Sequence, residues 1–416
     1  MPVFQATTSA PVNIACIKYW GKRDNTLILP TNSSLSITLS QDHLRSTTTA
    51  RADPIFSETK LWLNGKEEDI KSGGRLERCL AQLKKMRKER IEDKNPNTPK
   101  ISEWNLHVAS YNNFPTAAGL ASSASGFAAL TSSIAALYGL NTFTPSEPAV
   151  ASPSELSLVA RLGSGSACRS LFGGFVAWEV GSSLTGEDSL AIQVAPQEHW
   201  PTMHALICVV NDAKKGTSST SGMQRTVETS ALLQHRIKDV VPARMKAIEK
   251  AIKDKDFDSF ARITMADSNQ FHAVALDTAP PIFYMNDVSR SIIALVEELN
   301  RVSLAKTGHL VAAYTFDAGP NAVIYTEEEN VKQIIEIVVR YFPQSDTNPF
   351  PDPFKLFAGK QPKAAPLPEG FNEGVAKVWE VGSVKGLIHT RIGDGPRMRG
   401  EDEALLGRDG MPKVLA

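Results

Sequence analysis

The feature that most constrains this chain is a run of small residues at positions 112–126, Asn-Asn-Phe-Pro-Thr-Ala-Ala-Gly-Leu-Ala-Ser-Ser-Ala-Ser-Gly. Ahead of it, Trp104, Leu106 and Val108 alternate with Asn105 and His107, the pattern of a strand over 103–110. Behind it, residues 127–140 are rich in Ala and Leu and predict a helix ending near Gly139. A small-residue turn feeding a helix N-terminus presents unpaired N–H groups at the positive end of the helix dipole, which suits phosphate. The hydroxyls of Ser122, Ser123 and Ser125 add donors, or oxygens for a metal. The run lacks the G-x-x-x-x-G-K-[ST] pattern. Taken alone, it suits a tight turn before a close-packed Ala helix equally well.

At 416 residues the chain is long enough for two domains. Lys+Arg and Asp+Glu number 45 each, so no global field favours nucleic acid or an anionic membrane, although a locally basic pocket is compatible. Cys16, Cys79, Cys168 and Cys208 lie far apart without a C-x-x-C pair, which fits a reducing compartment and argues against structural zinc. The N-terminus lacks a secretory pattern, and no apolar run approaches the roughly 20 residues that span a bilayer. An intracellular, cytoplasmic protein is expected.

Near the start, Val12, Ile14 and Cys16 alternate with Asn13 and Ala15, predicting a strand that runs into the basic, aromatic turn Lys18-Tyr19-Trp20-Gly21-Lys22. Two lysines there read as solvated surface or as an anion contact. Leu35, Ile37 and Leu39 alternate with Ser36, Thr38 and Ser40, predicting a half-buried strand. Further strands are expected at 47–51 and 60–63, with Asn64-Gly65 as a hairpin turn. Over 74–91, Leu76, Cys79, Leu80 and Leu83 fall at helical spacing, and Lys84, Lys85, Arg87, Lys88 and Arg90 read as a solvated face. Arg75 opens that helix where an anion would be met.

Ser152-Pro-Ser-Glu155 is a helix start, with Ser152 as cap, Pro153 in the first turn and Glu155 closing the box. The helix ends at Gly163 and delivers a second small-residue turn, Gly-Ser-Gly-Ser-Ala-Cys-Arg-Ser at 163–170. Ser164, Ser166 and the Arg169 guanidinium form a nest able to grip a carboxylate or phosphate, or else a flexible loop with a surface arginine. An apolar run at 203–210 begins a second domain near 195–200. Helices are expected at 223–231, 236–253, 256–272, 286–300 and 327–341, and strands at 309–316 and 322–326, with 386–391 open as one more. Between the first of these elements, Lys214 and Lys215 introduce a hydroxyl-rich loop containing Ser219 and Thr220. Asp317 lies at a strand end in Asp-Ala-Gly-Pro-Asn, ordinary turn composition. Residues 342–368 are Pro-rich, and 411–416 are expected to be loose. The eight His residues show no metal spacing.

Four segments in order, 10–24, 112–124, 163–170 and 314–322, closely resemble the mevalonate diphosphate decarboxylases of the GHMP kinase superfamily, in their fungal form. The resemblance runs from near the start to about residue 340. Ala121 stands where many kinases of the superfamily have Gly, as in the decarboxylases. The resemblance implies an α+β, two-domain GHMP-kinase-like fold: an N-terminal α/β domain (1–198), a C-terminal α+β domain (199–416), the active site in the cleft between them, and a homodimer. It implies ATP- and Mg²⁺-dependent conversion of 5-diphosphomevalonate to isopentenyl diphosphate, ADP, phosphate and CO₂, a step of the mevalonate pathway to isoprenoids and sterols.

In that scheme Asp317 faces the C3 hydroxyl, Ser123 orients the γ-phosphoryl group, Lys18 offsets charge between them, and Arg169 clamps the substrate carboxylate. Tyr19, Trp20, Gly21, Lys22 and Arg75 would hold the substrate, together with Ser164, Gly165, Ser166, Ala167, Cys168, Ser219 and Thr220. Pro115, Ala117, Ala118, Gly119, Leu120, Ala121, Ser122 and Ser123 would cradle the ATP phosphates. The alternatives are a kinase of the same superfamily that stops after phosphoryl transfer, and a non-catalytic sensor on the same fold.

Overall fold

The computed structural model describes residues 4–114, 122–141, 143, 149–210, 216–345 and 347–414. The first half runs β1 (Phe4–Pro11), β2 (Asn13–Ile17), a short ribbon of β3 (Lys22–Asp24) and β4 (Leu29–Pro30), β5 (Ser34–Thr38), β6 (Arg45–Asp53), β7 (Lys60–Leu63) and β8 (Lys66–Glu68). Then come α1 (Arg75–Arg87), β9 (Asn105–Asn112), α2 (Ser122–Leu137), α3 (Pro153–Gly163), β10 (Phe175–Trp178) and β11 (Ala191–Ala195). The second half holds β12 (Met203–Val209), α4 (Ser219–Thr229), α5 (Ala231–His235), α6 (Val241–Asp254), α7 (Phe257–Leu276) and α8 (Asp287–Thr307). It closes with β13 (Ala313–Phe316), β14 (Ala322–Glu327), α9 (Glu328–Tyr341), β15 (Gly386–Arg391) and β16 (Arg397–Met398). The mixed α+β architecture matches the expected fold class.

A six-stranded sheet has the order β16-β1-β6-β9-β7-β8, parallel only between β7 and β9. Helix α2 lies over β1 and β6. Its alanines allow this close approach: Ala128, Ala129 and Ala135 are wholly buried, and Thr8 and Ser133 hydroxyls donate to the Ala129 and Ala6 carbonyls across the seam. The hairpin turn forms as expected, with Asn64 and Gly65 both at positive φ. The predicted cap of α3 is a full capping box between Ser152 and Glu155.

Two four-stranded sheets follow, β11-β10-β5-β2 and β13-β14-β12-β15. They share one core: Ile14, Ile37 and Phe175 of the former belong to the same buried cluster as Ile207, Phe260 and Ile324 around the latter. Apolar packing therefore continues across the junction of the two halves. Strands β2 and β13 end at this junction.

Several sequence expectations change. Strand β5 is buried on both faces rather than half-buried, with Ser34, Ser36 and Thr38 all at 0% exposure, because its polar face turns inward toward other polar groups. Arg87 is not on a solvated face; it is buried, donating to Glu92 at 3.0 Å and to the Tyr138 carbonyl at 2.8 Å. The predicted helix 236–253 opens with a π-helical turn, Arg236–Val240, and becomes α-helical only from Val241. The segment 411–413 is docked rather than loose: Lys413 N–H donates to the Leu405 carbonyl, and Leu406 bridges Pro412. The chain end thereby covers the six-stranded sheet, where Leu405 and Leu406 pack on Trp62 and Ala109.

Candidate active site

The ladder of β2 ends at Ile17 and that of β13 at Phe316, so the next residue of each, Lys18 and Asp317, is released from its sheet at the junction. The Lys18 Nζ donates to Asp317 Oδ1 at 2.7 Å. The lysine side chain is 3% exposed and the carboxylate 30%, so the pair is closed behind and open toward a cavity of about 610 Å³. That size and its few convergent polar groups suit a small-molecule site.

One wall is the turn at 163–170, which is not a flexible loop but a run of 3₁₀ turns, Gly165–Leu171. Arg169 is buried within it. Its Nε donates to Ser36 Oγ at 2.9 Å and Asn13 Oδ1 at 3.3 Å, and its Nη1 to Ser34 Oγ at 2.5 Å. All three acceptors are neutral, and among the described residues no carboxylate reaches Arg169 within ion-pair distance. Burial, only partly offset by neighbouring groups, holds its basicity below the ordinary value. A desolvated guanidinium without a counter-ion is costly unless an anion joins it. Gly165 is required for the wall's shape: a Cβ there would lie 2.8 Å from Tyr19 Cε1 and 2.9 Å from Trp178 Cη2.

A second cationic group lies at the mouth. Lys22 is pushed down to about 8 by partial burial and then by Arg75 and Arg78. Arg75 Nη2 donates to Thr220 Oγ1 at 2.6 Å, joining α1 to the first turn of α4. Ser218 caps α4 by accepting from Ser221 N–H, and Ser218, Ser219 and Thr220 all line the cavity. Tyr19 and Trp20 form part of the lining; Trp20 Nε1 donates to Thr226 Oγ1 at 3.1 Å, and the Tyr19 hydroxyl is buried without a partner among the described residues. Opposite, Ser123 Oγ lies 3.2 Å from Ser164 Oγ, linking the start of α2 to the wall. Ser122, Ser164, Gly165 and Ser166 also face the cavity.

Three expected substrate residues stand outside the lining. Ala167 and Cys168 are wholly buried behind the wall, where the Cys168 thiol donates to the Gly165 carbonyl and burial pushes it up to about 12. Gly21 is buried at φ +95°, a conformation that favours glycine, and a Cβ there would lie 2.7 Å from Thr31 Oγ1. Pro115, Ala117, Ala118, Gly119, Leu120 and Ala121, the expected ATP cradle, lie outside the described residues, as do Lys214 and Lys215.

The sequence reading missed Asn13, Ser34 and Ser36, which hold Arg169. The signal for Ser36 was the alternation of β5, taken as a half-buried strand; Ser34 lies one residue ahead of that stretch, and Asn13 is in β2. Among the described residues no group of three or more His, Cys, Asp or Glu side chains is arranged to hold a metal ion. The Ser122 and Ser123 side chains line the cavity, and hydroxyls are compatible in kind with a Mg²⁺ ion that keeps phosphate oxygens and waters as ligands. No helix among the described residues is long and apolar enough to cross a membrane.

Comparison with known proteins identifies the family. Residues 10–191 match the diphosphomevalonate decarboxylase-like N-terminal domain, and residues 205–399 match the mevalonate 5-diphosphate decarboxylase C-terminal domain. The chain is 68% identical to the diphosphomevalonate decarboxylase of Ganoderma lucidum over 415 residues, covering 99% of this chain and 100% of that protein. It superposes on the X-ray crystal structure of a mevalonate 5-diphosphate decarboxylase with a TM-score of 0.82 at 47% identity, covering 97% of this chain and 99% of the other. A structure described as MDDEF in complex with MVAPP, AMPPCP and magnesium superposes with a TM-score of 0.69 at 30% identity, covering 96% of this chain and 99% of the other. With both halves matched and the identity sustained along nearly its whole length, the chain belongs to the diphosphomevalonate decarboxylase family.

Proposed function

We propose that Lys18, Ser123, Arg169 and Asp317 carry out in this cavity the family's reaction, the ATP-dependent decarboxylation of (R)-5-diphosphomevalonate to isopentenyl diphosphate with release of ADP, phosphate and CO₂. The observation that carries the assignment is the asymmetry of charge around the cavity. Among the described residues, Lys18, Lys22, Arg75 and Arg169 line it against one carboxylate, that of Asp317. A substrate with a diphosphate at one end and a carboxylate at the other balances that excess.

The roles follow from position. Arg169, held rigidly by Asn13, Ser34 and Ser36, takes the substrate carboxylate with the rest of its planar fork. Lys22 and Arg75, with Ser219 and Thr220, take the diphosphate. Tyr19, Trp20, Ser164, Gly165 and Ser166 shape the passage between the two ends. The C3 hydroxyl then lies toward Asp317, which accepts its proton or orients it while phosphoryl transfer proceeds. Ser123 orients the transferring group, and Lys18 spreads charge between it and Asp317. Phosphoryl transfer depends mainly on such positioning and charge neutralisation. Phosphate then leaves C3, cationic character develops there, and Asp317 is the nearby anion that favours it. The carboxylate held by Arg169 lies aligned for loss as CO₂, leaving the alkene.

The residues 115–121 with Ser122 and Ser123 form the ATP-phosphate cradle in this reading. Mg²⁺ carried with ATP supplies neutralisation of the phosphate charge, and Ser122 and Ser123 are the hydroxyls offered to it. The chain works as a homodimer, divided near residue 198 into two domains, in a reducing cytoplasmic setting. The four cysteines, all buried and free, agree with that setting.

The test is purified protein with Mg-ATP and 5-diphosphomevalonate, counting ADP and CO₂. Equal yields support the reading. ADP without CO₂ favours a kinase that stops at phosphoryl transfer, and no turnover favours a sensor.

A further inference from the structure

Lys18 is fixed less by its ammonium than by its backbone. It follows the last ladder residue of β2, so its N–H and C=O have no strand partner, and buried backbone groups must be satisfied elsewhere. The N–H donates to Asp267 Oδ1 at 2.8 Å, and the carbonyl accepts from Asn32 Nδ2 at 3.0 Å and Arg236 Nη2 at 3.1 Å. Asp267, on α7, is wholly buried. Its Oδ1 also accepts from Arg236 Nη2 at 2.8 Å, and its Oδ2 accepts from Arg236 Nη1 at 2.9 Å and Arg244 Nη1 at 3.0 Å. All the lone-pair positions of this carboxylate are thus in use. Burial alone would push it up; Arg236, Lys18 N–H and Arg244 together hold it below its ordinary value.

The backbone around Arg236 is unusual too. Arg236 opens the π-helical turn Arg236–Val240, and such insertions redirect side chains and recur at functional sites. From that position one guanidinium clasps both Asp267 oxygens and the Lys18 carbonyl. Asp267, Arg236 and Arg244 come from the second half of the chain and grip a residue of the first.

We propose that Asp267, clasped by Arg236 and Arg244, is a positioning residue that sets the Lys18 ammonium against Asp317 for the chemical step. Asp267 touches neither substrate nor the reacting atoms; it acts through Lys18. The inference rests on the role given to Lys18 under Proposed function.

The experiment is a double-mutant cycle in the full chain, read as kcat and KM for ATP and 5-diphosphomevalonate. Asp267→Asn turns an amide N–H₂ toward two guanidinium groups and loosens the clasp. Expected results are a fall in kcat of about tenfold or more, KM values within about threefold of wild type, and almost no further loss when Asp267→Asn is added to Lys18→Met. A merely structural residue would give losses that multiply in the double variant; that result, or wild-type kcat in Asp267→Asn, overturns the proposal. If Asp267→Asn does not fold, the same cycle with Arg244→Gln decides, because that side chain is 21% exposed and the Arg236 clasp remains. A smaller loss, again absent in the Lys18→Met background, supports the proposal; a multiplying loss or none overturns it. Failure of the underlying reading shows separately, as no CO₂ from the wild type or an unimpaired Lys18→Met single variant.

Discussion

Lys18 and Asp317 meet at 2.7 Å although they lie 299 positions apart in sequence, each at the first position beyond a strand, one from each half of the chain. Neither strand supplies the chemistry alone. The junction that brings the strand ends together also opens the cavity, so relative placement of the two halves sets the geometry of the pair.

The Arg169 socket gives a graded prediction. Arg169→Lys keeps a charge but loses the planar fork, and should lower kcat/KM by about 100-fold or more. Ser34→Ala removes one neutral acceptor and should cost about tenfold. Steady-state kinetics check both; equal effects, or none, would contradict the role given to the socket.

Acid should weaken the fold through buried histidines. His272, 4% exposed, is held at about 4 by burial and then by Lys18, and His389, 1% exposed, at about 3 by burial and then by His204 and His43. The unfolded chain takes up protons near the ordinary value of about 6.5 that the folded chain refuses. The stability these rings contribute is therefore full above about pH 6.5 and lost as pH falls toward 4 and 3. Each ring accounts for about 2 kcal/mol at pH 5. Melting temperature should fall from pH 7 to pH 5, and the slope should flatten in His272→Gln. A flat profile in the wild type would contradict this.

Gly165→Ala should drive a methyl group into Tyr19 and Trp178. Overpacking of this kind costs about 1–3 kcal/mol. With Tyr19 displaced into the cavity, KM for 5-diphosphomevalonate should rise several-fold, while Gly126→Ala, whose Cβ would meet nothing within 4 Å, is the comparison expected to leave packing unchanged. Unaltered KM in Gly165→Ala would argue against close packing of this wall.

Removing residues 397–416 should destabilise the six-stranded sheet. The segment pairs with β1 at Thr8 and Ser9, covers Trp62 with Leu405 and Leu406, and accepts from Arg51 at the Arg408 carbonyl, 2.7 Å away. Red-shifted Trp emission and a lower melting temperature are expected; an unchanged melt would show that the strap adds nothing.

These particulars show what the sequence carries and what it does not. Alternation placed β2 and β5 and a capping box placed α3, because local periodicity and capping chemistry are written in adjacent residues. Burial of the polar face of β5 was not legible: Ser34 and Ser36 look solvated until Arg169, more than 130 residues away, turns toward them. Arg87 misled for the same reason, since its partners Glu92 and the Tyr138 carbonyl are supplied by the fold. The clasp on Lys18 draws on Asp267, Arg236 and Arg244, each unremarkable in its own helix. Strand β16, two residues long, has no periodicity to read. The family resemblance supplied Asp317, which composition alone would have left as a turn former.

The most direct test of the account is single-turnover measurement of ADP and CO₂ with Asp317→Asn, which keeps the shape but removes the charge facing Lys18. The account predicts that both products fall together by about 10³-fold, the range expected of a group acting in the transition state, with ATP affinity little changed. Near-normal yields of ADP and CO₂ from that variant would contradict it.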